Sequence, residues 1–76
     1  MQKYTEEEWQ KKIAANVTDE MKKKGVSGYK LSKDTKMDMH GTYNFLNGKK
    51  MPTINRLIKC ADLLGVHMSK FFKDRK

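Results

Sequence analysis

His40, Tyr43, Asn44 and Asn47 are four hydrogen-bonding side chains set close together in the segment MDMHGTYNFLNGKKMP, residues 37–52. With Asp38 as an N-cap and about 100° between successive residues, they share one side of a short helix. Thr42, Phe45 and Leu46 take the other side, which suits a core. Amide, imidazole and phenol groups can meet the donor and acceptor edges of base pairs. The row contains no acid and runs at once into Gly48-Lys49-Lys50. Asn47-Gly48 ends the helix, because glycine adopts the left-handed C′ conformation without strain. A polar helix face ending in a basic turn fits a DNA major groove. Taken alone it also describes an ordinary solvated face, so the rest of the chain must decide.

Catalytic and metal chemistry find no support. His40 and His67 lie 27 residues apart and neither has a cysteine at ligand spacing. Ser27, Ser32 and Ser69 belong to no nucleophile motif, and the glycines form no phosphate-cradling loop. A chain this short also leaves little room for a concave pocket. No catalytic or metal-binding residue, cofactor or small-molecule ligand is expected.

The chain has 76 residues, enough for one compact domain over 1–76. Its 17 Lys and Arg against 9 Asp and Glu give a net charge of +8. That excess favours an anionic partner, nucleic acid first and an acidic membrane surface second. Apolar runs reach only two to three residues, so no bilayer span is expected, and Met1–Glu6 does not read as a signal peptide. A single cysteine, Cys60, cannot form an internal bridge and suits a reduced, cytoplasmic setting.

The elements that must position the polar row follow from local signals. Thr5 and Glu8 form a capping box, and Trp9, Ile13, Val17 and Met21 make an apolar stripe recurring every four residues. Lys22, Lys23 and Lys24 suit the helix's negative end, and Gly25 stops it. Ser27 caps a second helix from Gly28 to about Lys36, with Leu31, Ser32 and Thr35 inward. Thr53 caps a fourth helix, whose inward stripe is Ile54, Leu57, Ile58, Ala61 and Leu64, with Gly65-Val66 as its stop. Cys60 sits at the edge of that stripe as a semi-buried thiol. Leu63 lies outside it and either covers the last segment or faces a second subunit. Met68, Phe71 and Phe72 form a short fifth helix that closes the core or contributes to a dimer contact. Lys73 to Lys76 is a short basic tail that reads as frayed.

Gly25-Val26-Ser27, Leu31-Ser32, Met37, Phe45, Asn47-Gly48-Lys49, Pro52, and Leu57 through Ala61 to Leu64-Gly65-Val66 occur in an informative order. In these positions the segment from Ile13 to Phe72 resembles the Cro and phage-repressor family of helix-turn-helix proteins, without insertion or deletion. The resemblance implies an all-α, five-helix, lambda-repressor-like domain with its helix-turn-helix at about 27–48. It also implies a sequence-specific double-stranded DNA-binding regulator of a phage or mobile element, acting as a weak homodimer that tightens on a palindromic operator. Met39, His40, Tyr43 and Asn44 would then contact bases. Ser27, Gly28, Lys33, Asn47, Lys49, Lys50, Ile54 and Asn55 would contact phosphates, Gly28, Ile54 and Asn55 through helix N-terminal amides. Asn44 suits a bidentate adenine contact and Met39 a thymine methyl, while His40 suits a guanine acceptor or a phosphate.

The chain departs from the family pattern in five respects. Gly28 stands where glutamine is usual, and Lys36 where the turn normally has glycine, so Lys36 must take a positive φ or the turn must reshape. Thr42 replaces an Ile or Val. Met21 and Leu46 occupy the positions of a common Arg–Glu pair, a joint exchange of buried charge for packing. The extra turn at the start of helix 1, with Trp9, has no counterpart, and Trp9 suits a packing anchor. An antitoxin-like protein-interaction module on the same fold is the alternative reading. A membrane-surface binder is a third, disfavoured because the apolar stripes are consumed by mutual packing.

Overall fold

Short polar side chains start every α-helix found among residues 4–73, the part of the chain that the computed structural model describes. Helix α1 is Glu6–Lys24, α2 Gly28–Thr35, α3 Met39–Leu46 and α4 Ile54–Leu64. Thr5 Oγ1 accepts from the Glu8 N–H at 3.2 Å, and Glu8 returns a carboxylate oxygen to the Thr5 N–H at 2.8 Å. Ser27, Asp38 and Thr53 likewise accept from the N–H three residues on, in Lys30, Gly41 and Arg56. Each cap satisfies a donor the helix leaves free. Gly25 and Gly65 end α1 and α4 in the left-handed conformation, as expected.

The core joins Ile13, Val17 and Met21 of α1 to Leu31, Phe45, Leu57, Cys60, Ala61, Leu64 and Phe71. Leu46 and Trp9 are half-buried and pack against this cluster. Trp9 meets Phe72 edge-on at 6.4 Å between ring centroids and Tyr4 at 5.4 Å, so it anchors the first turn of α1. Helix α1 packs on α3, α4 and the C-terminal segment, and α2 packs on α3 and α4.

Two expectations about the helices need correction. Residues Met68–Phe72 form a 3₁₀ turn, so four α-helices are present among the described residues instead of five. Five residues give little more than one α turn, too few for a run of i→i−4 bonds. The segment still does what its apolar residues require, because Phe71 is fully buried.

The second correction concerns α4. Its buried face is Leu57, Cys60, Ala61 and Leu64, spaced i, i+3, i+4, i+7. Ile54 and Ile58 are 61% and 44% exposed. Ile58 lies about 100° from Leu57 around the helix, and Ile54 sits in the first turn. Cys60 is fully buried, not at an edge, and burial pushes its thiol up to about 11. Leu63 is half-buried and borders a groove with Thr35 and Lys36, on the α2 side.

Asn16, absent from the apolar stripe of α1, is nevertheless buried. Its amide donates to the carbonyls of Phe71 and Lys73, both at 2.9 Å, fastening the chain's last described residue to its first helix. Lys73, the first residue of the basic tail, is thus tied to α1 through its carbonyl, and the remainder, 74–76, lies outside the described residues. Glu20 is buried too, with the Lys23 ammonium 3.6 Å away.

Candidate nucleic-acid interface

The turn between α2 and α3 holds only Lys36, Met37 and Asp38. Lys36 takes φ +61°, the positive value that its position demands of a residue other than glycine. The turn is held from inside by hydroxyls. Ser32 Oγ donates to the Met37 carbonyl at 2.6 Å, and Thr42 Oγ1 donates to the Asp38 carbonyl at 2.8 Å. The two hydroxyl oxygens are 3.4 Å apart. Thr42, where an apolar branched residue was expected, thus belongs to the same device as Lys36: a buried polar lining fixes a turn made without glycine.

Asp38 then starts α3 and ties it to α4. The Gly41 N–H, with Arg56 contributing, holds its carboxyl below the ordinary carboxylate range against partial desolvation. Arg56 approaches to 3.8 Å. A Cβ on Gly41 would stand 2.9 Å from the Asp38 carboxylate and 3.1 Å from the Arg56 guanidinium. Glycine here leaves room for the cap and the cation together.

Thr42 and Phe45 are fully buried, which turns the other side of α3 outward. Met39, His40, Tyr43 and Asn47 are exposed and Asn44 is half-buried. Asn44 Nδ2 lies 3.2 Å from His40 Nε2, one helical turn back. With His40 accepting there, Asn44 keeps its carbonyl oxygen and one amide hydrogen for another partner. Tyr43 is folded towards α2: a Cβ on Gly28 would meet its ring at 2.8 Å. Glycine at 28 therefore leaves space that the Tyr43 ring occupies.

The expected phosphate-contacting side chains are solvent-accessible. Ser27 is exposed and accepts from Lys30, leaving its own hydroxyl hydrogen to donate. Lys33, Lys49, Lys50, Ile54 and Asn55 are all exposed. Gly48 follows Asn47 with φ +74°, as expected of the helix end. Two residues beyond the sequence reading stand here as well. Tyr29 is 55% exposed beside Gly28, with the Lys33 ammonium 5.9 Å from its ring centroid. Lys11 of α1 lies against Gly48. The i, i+4 spacing of Tyr29 and Lys33 was readable, whereas nothing local announces Lys11.

Among the described residues no cluster of three His, Cys, Asp or Glu could hold a metal, and no helix is long and apolar enough to cross a membrane. No family model, curated protein or solved structure was found to match the chain.

Proposed function

We propose that this chain is a sequence-specific double-stranded DNA-binding transcriptional regulator of the Cro/phage-repressor type. The observation that carries the reading is α3 itself. It is braced by α1 and α2, and its outward face presents Met39, His40, Tyr43 and Asn44 beside the cationic turn at Lys49-Lys50. Helix α3 enters the major groove, where Asn44 offers a donor and an acceptor to adenine and Met39 an apolar contact to a thymine methyl. Ser27, the amides starting α2 and α4, Lys33, Asn47, Lys49 and Lys50 hold phosphates and set the register. One short helix reads few base pairs, so two copies bind a palindromic site in the host cytoplasm and block or recruit polymerase there. Selection from a random duplex library, followed by mobility shifts across a salt series with random competitor, tests this. Enrichment of a palindrome bound tightly over competitor is expected. Binding indifferent to sequence, or no binding, refutes it.

The exposed pair Ile54 and Ile58 favours a second reading, an antitoxin-like module that grips a protein. Under that reading Ile58→Lys abolishes partner capture and DNA plays no part.

A further inference from the structure

Gly48 is constrained twice. Its positive φ would strain another residue, and a Cβ there would stand 3.3 Å from both Cα and Cγ of Lys11. The turn after α3 thus rests on the backbone of α1, within the extra turns that precede the family-like segment. Lys11 is exposed, as are Lys49 and Lys50 directly after Gly48. None of the three is in an ion pair among the described residues. Three exposed cations therefore sit on two elements, distant in sequence, that meet at Gly48, and an ammonium on a long stem reaches several ångströms beyond its Cα. Glu8 is turned back into the capping box, which leaves Glu7 as the acid one turn from Lys11.

We propose that Lys11 is a phosphate-contacting residue, so that the N-terminal extension of α1 lengthens the DNA footprint beyond what α2, α3 and the following turn cover. This rests on the DNA-binding reading and adds to its Lys33, Lys49 and Lys50 a fourth cation, with a role for the extension. A duplex lying along α3 brings its backbone past the Lys49-Lys50 turn, and Lys11 stands at that same edge.

The test compares Lys11→Gln, Lys11→Arg and Lys70→Gln, the last removing equal charge from the C-terminal segment. Lys and Gln are similarly good helix formers, so each variant should melt close to the parent. Binding to a random-sequence duplex is measured across a salt series, and phosphate ethylation interference is mapped on the selected site. Lys11→Gln should reduce the log–log salt slope by about 0.9 and remove one interfering phosphate, while Lys11→Arg keeps both. Lys70→Gln should keep that phosphate and change the slope by much less. Glu7→Gln should strengthen binding. An unchanged slope in Lys11→Gln, or a change equal to that of Lys70→Gln with no phosphate lost, overturns the proposal and leaves the functional reading intact. Failure of the unaltered chain to bind any duplex overturns both.

Discussion

The ring of Tyr43 lies against the α-carbon of Gly28, so close that a Cβ there would stand 2.8 Å from Cε1, 3.0 Å from Cζ and 3.1 Å from the hydroxyl. This joins the middle of α3 to the first turn of α2. It also directs the phenol sideways along the candidate interface, towards the free amides that begin α2.

Gly28→Ala should consequently have an effect that depends on residue 43. Alanine in a helix is favoured over glycine by roughly 0.5–1 kcal/mol. In the parent chain, displacement of the Tyr43 ring offsets that gain. In a Tyr43→Ala background the gain should appear in full, as a higher urea midpoint. Equal effects in both backgrounds would show that the ring yields freely.

Lys36→Gly removes a left-handed side chain whose conformation costs roughly 1–2 kcal/mol, but adds freedom to the unfolded chain. The net expectation is stabilisation of up to about 1 kcal/mol, a rise in Tm of about 4–8 °C at the upper end. A lower Tm would mean that the Lys36 side chain contributes more than its backbone strain removes.

Met21 is buried and Leu46 packs on the same cluster. Met21→Arg alone should destabilise by about 3 kcal/mol or more, because it buries an unpaired cation. Adding Leu46→Glu should recover much of that loss. A double variant melting no higher than the single one would show that these side chains do not face each other.

Cys60 sets a high-pH limit. Burial raises its thiol from an ordinary value of 9.0 to about 11, so the unfolded chain ionises first. Between those values the folded state binds more protons, and stability falls as pH rises, by on the order of 2 kcal/mol. The diagnostic is therefore the difference in pH slope between the parent and Cys60→Ala, which should be clear from pH 9 to 11 and absent at pH 7 to 8. Parallel slopes throughout would place the thiol in a wetter site.

Positioning and reading separate by salt. Lys49→Gln or Lys50→Gln should weaken binding to all duplexes alike and lower the salt slope by about 0.9. Asn44→Ala should cost roughly 1–3 kcal/mol on the selected site, relax preference at one base pair, and leave the slope nearly unchanged. Equal weakening on selected and random duplexes would mean that α3 does not read bases through Asn44.

Whatever depends on neighbours three or four residues away was legible in the sequence. Thr5, Ser27, Asp38 and Thr53 cap the helices they were expected to cap, because cap and recipient lie three residues apart. The outward set of α3 follows from Thr42 and Phe45 in the same way. The facing of α4 was not legible: hydropathy alone prefers Ile54 and Ile58 to Cys60, yet the neighbouring helices cover Cys60. The burial of Asn16 and Glu20 has no local signal either, since their partners or their cover come from tertiary packing. The contacts of Tyr43 with Gly28 and of Lys11 with Gly48 likewise cross between helices. Those two contacts shape the candidate interface most, and no periodicity encodes them.

The clamp of Asn16 on the Phe71 and Lys73 carbonyls bears on how the chain matures during synthesis. Asn16 emerges early, but its acceptors follow 55 and 57 residues later, and Phe71, which completes the core, arrives with them. A ribosome-tethered chain therefore holds α1 to α4 with an open end until residue 73 has cleared the exit tunnel. Closing so large a loop is a late, entropically costly step. Passage of residue 73, not of α4, is the moment at which the domain locks. A C-terminal fusion joined directly after Lys73 would press on that closure, whereas one attached ahead of Tyr4 would leave it free.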